Sequence, residues 1–136
     1  MPDHRLPRLF EFLGCRAGSV AVEFALIIPV ALAILVGIVE VGRAMWIRAS
    51  LQFAVEEGAR YMMVHQNADD ADLTAFALDK LAGIDPASVD LSLLRETVDG
   101  TDFVTVSATF QFHCVASLIT GEPFLLTGSS RAPLLE

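Results

Sequence analysis

From Phe24 to Val39 sixteen residues follow one another without a charge, and with Ser19 to Val22 the apolar stretch reaches about twenty, broken only by Glu23. An α-helix rises 1.5 Å per residue, so about 20 apolar residues cross a hydrocarbon core about 30 Å thick. The run therefore predicts a membrane-spanning helix, with the buried core helix of a soluble protein as the alternative. Composition sides with the membrane. A hydrophobic fraction of 54% and a mean hydropathy of +0.55 exceed the roughly 45–50% apolar usage of soluble domains, and the excess is concentrated in this one stretch.

The flanks suggest an orientation. Arg5, Arg8 and Arg16 precede the run against Asp3 and Glu11, so the positive-inside rule keeps the leader in the cytoplasm and exports the C-terminal portion of the chain. Arg43 and Arg48, just past the run, dissent mildly. Residues 49–136 hold 13 carboxylates against four basic residues, and the whole chain carries a net charge of −8. Nucleic-acid binding is excluded as an expectation, because it needs a basic patch. With 136 residues the chain has room for one small domain beyond the anchor. Its two cysteines, Cys15 and Cys114, flank the run and would lie on opposite sides of a membrane, unable to pair.

Several leader types compete. A cleaved secretory signal would show a small-x-small site after a 7–15-residue apolar core, and Gly37 to Val41 offers no clean one. A lipoprotein reading at Phe12-Leu13-Gly14-Cys15 lacks an apolar core before the cysteine, where Arg5, Pro7 and Arg8 stand. The arrangement that fits is Arg16-Ala17-Gly18, then Ser19-Val20-Ala21-Val22-Glu23, then the apolar run. A carboxylate in a membrane helix costs about 2.5–3.5 kcal/mol on insertion scales and normally marks function. Glu23 thus calls for a partner, unless it sits at the interface and reaches headgroup water.

The Gly18/Glu23 arrangement resembles a type IV prepilin cleavage site. Together with Pro29 early in the helix, the exit Gly37-Ile-Val-Glu-Val-Gly-Arg43, and Leu51-Gln52-Phe53-Ala54 with Glu57-Gly58-Ala59-Arg60, it resembles the TadE/TadG-like pseudopilins of tight-adherence (Flp) pilus systems. The resemblance covers about residues 14–64 and is weak beyond them. It implies cleavage between Gly18 and Ser19 by a prepilin peptidase, after which the freed amine of a neighbouring subunit would neutralise Glu23. It also implies other pilins or pseudopilins and an inner-membrane assembly platform as partners, in machinery related to type II and type IV secretion. The major Flp pilin is much shorter, so the 118 residues after the implied cut suggest a minor pseudopilin.

Beyond the anchor, Ile47, Leu51, Ala54 or Val55, Gly58 and Met62 recur every three or four residues, predicting an amphipathic stalk to about Val64. A helix from Ser19 to Val64 would be about 69 Å long. Pro29 removes one intrahelical bond and is a candidate kink. Asn67 to Asp72 supplies turn and cap chemistry for a short helix through Leu73, Phe76, Ala77 and Leu81, ending at Gly83. Val89, Leu91 and Leu93 alternate with polar residues, as do Val104, Val106, Ala108, Phe110, Phe112 and Cys114 beyond the turn Asp99-Gly100; this predicts a β-hairpin. A third strand is expected near Phe124 to Ser130. The expected fold is α+β and pilin-like, with a leader at 1–18, a transmembrane helix at 19–42, a stalk at 43–66 and a periplasmic domain at 67–136.

Side chains with chemical potential are few. His113-Cys114 lacks further metal ligands at suitable spacing, and Cys114 is expected as a buried thiol on the apolar face of its strand. His65 would cap the last stalk carbonyls. Asp69, Asp70 and Asp72 lack the spacing of a calcium loop and suit a helix cap. Glu40 and Arg43, three apart, would pair on one helix face at the membrane boundary or meet a neighbouring subunit. Ala33 and Gly37 have the small-xxx-small spacing that admits a close helix, a common pattern. Phosphate loops, nucleophile elbows and paired catalytic carboxylates are absent from the sequence, so no enzyme activity, cofactor, metal or small-molecule substrate is expected. The leading expectation is a minor pseudopilin in the bacterial inner membrane, single-pass, with its N-terminus cytoplasmic and its C-terminal domain periplasmic. The alternative is an uncleaved, signal-anchored periplasmic binding protein.

Overall fold

A computed structural model describes residues 16–65, 68–115, 117 and 121–134, with side chains from Val20 onward. Most of the expected leader, with Cys15, lies outside the described residues. The chain divides into two compact units, Met1–Ile38 and Val39–Glu136.

Helix α1 runs Arg16–Val64 and contains Pro29. Within the first unit every described side chain from Val20 to Ile38 is exposed, with Leu26, Ile27, Ile34 and Ile38 among the apolar ones. A helix apolar on all sides needs either a core around it or lipid. The described helix is long and apolar enough to cross a membrane, and none of its most apolar window is buried inside the protein. A soluble core helix would be covered; this one is bare.

In the second unit the same helix is amphipathic. Ile47, Leu51, Val55, Ala59 and Met62 are buried on one face, and Val64 ends the helix where that spacing stops. Helix α2, Asp70–Asp79, is capped by Asp69, whose carboxylate accepts from the Asp70 N–H, and Asp70 and Asp72 stand in its first turn near the positive end of its dipole. It buries Leu73 and Ala77 against α1. Gly58 on α1 leaves room for that contact, since a Cβ there would lie 3.3 Å from both Ala77 Cβ and Leu73 Cδ1.

The sheet has three antiparallel strands in sequence order: β1 (Val89–Val98), β2 (Thr101–Phe112) and β3 (Phe124–Leu134). Two residues join β1 to β2. Asp99 at φ 52° and Gly100 at φ 81° both adopt the positive φ that a two-residue hairpin of type I′ requires. Successive strand side chains point to opposite faces, so Val104, Val106, Ala108 and Phe112 of β2, with Ala132 of β3, bury one face in the same cluster as the stalk residues of α1. Thr105, Ser107 and Thr109 fill the other face.

Strand β3 continues past the expected Ser130 to Leu134 and accommodates Pro133, paired opposite Phe103. The strand is at the sheet edge, where proline's missing N–H costs no ladder bond. Its edge is partly covered by α1: the Gln52 amide donates to the Ser129 carbonyl at 3.2 Å and accepts from the Ser129 N–H at 3.3 Å. Such cover protects an edge from pairing with another chain. Gly128, next along, lets the strand approach the helix backbone closely.

Candidate assembly surface

Two stretches of α1 hold the residues singled out from the sequence. The first unit carries Gly18 and Ser19 within the helix, and Glu23, Ala33 and Gly37 exposed on it. Ala33 and Gly37, four apart, share a face. A Cβ at Gly37 would meet nothing within 4 Å, so the backbone is open to close approach there.

The second stretch opens the other unit. Arg43 and Glu40 form the expected pair, Nη2 to Oε2 at 3.6 Å, but not as two exposed side chains. Glu40 is only 19% exposed, and its Oε2 is buried without a hydrogen bond. The reason is a set of residues far along the chain: Phe112, Cys114, Phe124 and Leu126 join Glu40, Val41 and Ala44 around a cavity of about 250 Å³. Arg43 is held elsewhere. Its Nη2 donates to the His113 carbonyl at 2.6 Å, and its guanidinium lies 4.7 Å from the centre of the Phe112 ring. Arg43 therefore bridges a half-buried carboxylate and the end of β2, which the i, i+3 spacing does not reveal. Strand alternation was the available signal: it places Phe112 on the face of Val106 and Ala108, and a third strand starting at Phe124 brings a second aromatic ring beside it.

Cys114 departs from expectation. β2 ends at Phe112, so Cys114 lies beyond the strand, half-buried at the cavity wall as a free thiol. β3 begins at Phe124, opposite Phe112, so no strand residue pairs with His113. His65 behaves as a terminal cap, its Nδ1 at 3.2 Å from the Tyr61 carbonyl and its ring stacked on Tyr61 at 4.3 Å. Of the aspartates, Asp69 caps α2 and Asp70 takes Arg95 as an ion-pair partner. No group of three or more His, Cys, Asp or Glu side chains suited to a metal occurs among the described residues.

Further along α1, the Trp46 indole N–H donates to the Ala82 carbonyl at 3.3 Å. The buried Ser50 hydroxyl accepts from the Ala82 N–H at 2.9 Å. Together they fix the loop after α2 to the helix.

Residues 18–60 match the family model of the TadE-like proteins. This stretch of the chain is similar to the TadE-like proteins. The matched segment begins at Gly18, runs through Glu23, Ala33, Gly37, Glu40 and Arg43, and closes within the stalk portion of α1. The TadE-like match thus spans every residue singled out for processing or helix contact and stops short of α2 and the sheet. No curated protein and no solved structure matches the chain.

Proposed function

We propose that the chain is a pseudopilin-like component of a tight-adherence pilus system, anchored in the inner membrane by α1 with its α+β unit on the periplasmic side. The observation that carries this reading is a TadE-like match that starts at Gly18 and includes Glu23 inside a bare apolar helix. A prepilin peptidase cleaves between Gly18 and Ser19, and the new amine pairs with Glu23 of a neighbouring subunit in the apolar layer. Ala33 and Gly37 admit a second helix, so that other pilins or an assembly platform pack against this face. Glu40 and Arg43 mark the boundary where the helix leaves the apolar layer. The protein's work is structural, consistent with the TadE-like proteins being pilus components rather than an enzyme family.

Mass spectrometry of the mature N-terminus tests the proposal. Ser19 is the expected first residue, and Gly18→Ala is expected to block processing. A mature chain that still begins at Met1 or Pro2 overturns it.

A further inference from the structure

The antiparallel register gives the sheet two chemically unlike ends. At the hairpin end stand Asp99, Asp102 and Glu96, the last paired with Arg131 at 3.5 Å. At the other end β2 finishes in Phe110-Gln111-Phe112 and β3 begins with Phe124-Leu125-Leu126, paired residue for residue. α1 enters the second unit at this apolar end, where Glu40, Val41 and Ala44 share the cavity with Phe112 and Phe124.

Much of this end is uncovered. Phe124 is 54% exposed, Leu125 64% and Val115 49%, and Val41, Met45 and Trp46 on the helix are similarly bare. Bare apolar side chains gathered at one end of a unit mark a surface with a partner. The chain itself indicates which: the residues immediately before Val39 are the uncharged run, so the bare end of the unit is the end joined to the lipid-crossing segment.

We infer that this end of the second unit rests in the interfacial layer of the bilayer, with Val115, Phe124 and Leu125 forming a membrane contact in addition to α1. The inference rests on the anchor reading above. The interfacial layers are what separates a hydrocarbon core of about 30 Å from a total of about 40–45 Å. They favour aromatic rings, and apolar faces sink about 5–10 Å into the boundary. Exposed Glu122 remains hydrated at that depth, Arg43 stays on the His113 carbonyl, and exposed Arg48 is left to meet the phosphates.

The test uses the full chain in vesicles of phosphatidylcholine and phosphatidylglycerol, with Cys15→Ser and Cys114→Ala to clear the native thiols. Nitroxide labels are placed singly through Leu125→Cys, Val115→Cys, Ile34→Cys and Asp99→Cys, all at exposed positions, and Trp46 emission verifies the fold. Collision with oxygen, which partitions into lipid, is compared with collision with a water-soluble nickel chelate. The oxygen-to-nickel ratio is expected to be several-fold higher at 125 and 115 than at 99, approaching the ratio at 34. Ratios at 125 and 115 equal to that at 99, with 34 still lipid-accessible, overturn the inference and leave the anchor standing; that outcome assigns the patch to a protein partner. A water-accessible label at 34 overturns the anchor and the inference together.

Discussion

Gly128→Ala isolates the contact on which the packing of sheet against stalk depends. A Cβ at this position would lie 3.0 Å from the Gln52 amide nitrogen, 3.1 Å from the Leu51 carbonyl carbon and 3.2 Å from Gln52 Cα. All three atoms are helix backbone, so no side-chain rotation relieves the clash. Restoring ordinary contact means moving β3 or α1 by several tenths of an ångström, which also stretches the Gln52 bonds to Ser129 at 3.2 and 3.3 Å. Overpacking of this kind costs about 1–3 kcal/mol, offset by about 0.4–1 kcal/mol from the reduced freedom of the unfolded chain. The net loss is up to about 2.6 kcal/mol with a midpoint of about 1.3 kcal/mol, and that midpoint lowers Tm by about 5–10 °C for a unit of this size. Trp46, the only tryptophan and bonded to the Ala82 carbonyl, reports the melt in detergent by its fluorescence. Gly42→Ala is the counterpart: a Cβ there meets nothing within 4 Å, so the helix gains about 0.5–1 kcal/mol. A Gly128→Ala protein that melts at or above the wild-type temperature refutes the close-approach account.

Leu51→Ala empties a fully buried site between helix and sheet and is expected to cost about 2–5 kcal/mol, measured by urea unfolding in detergent. Arg43→Met removes the donor to the His113 carbonyl and strands the buried Glu40 oxygen, a loss of about 1–3 kcal/mol. Adding Glu40→Gln is expected to restore part of that loss, and a double mutant no more stable than Arg43→Met alone contradicts the pairing. Gly37→Leu leaves the melt of the second unit unchanged while reducing co-purification with other pilus subunits, because only the open face of α1 is filled.

The parts of the fold that were legible in the sequence are those governed by short-range periodicity. The stalk shows itself through Ile47, Leu51, Val55 and Met62, the hairpin through its alternation and Asp99-Gly100, and the second helix through its aspartate-rich start. What was hidden depends on residues distant in sequence. The Arg43 bond to His113 spans 70 positions and the Gln52 bonds to Ser129 span 77, and neither leaves a local pattern. The full length of β3 was masked by Pro133, which reads as a breaker until the strand is known to lie at an edge. Cys114 continues the alternation in sequence yet leaves the strand, because β3 begins only at Phe124, opposite Phe112. On α1 the pairing of Glu40 with Arg43 was readable from their i, i+3 spacing, whereas the burial of Glu40 required the sheet.

If the chain is a pseudopilin, Glu23 pairs with the freed amine of a neighbouring subunit. With Glu23→Gln in the chromosomal copy, processing at Gly18 is expected to proceed while surface pili, counted by electron microscopy, are largely lost, since the neighbouring amine no longer finds a carboxylate. Wild-type piliation in that strain would contradict the account.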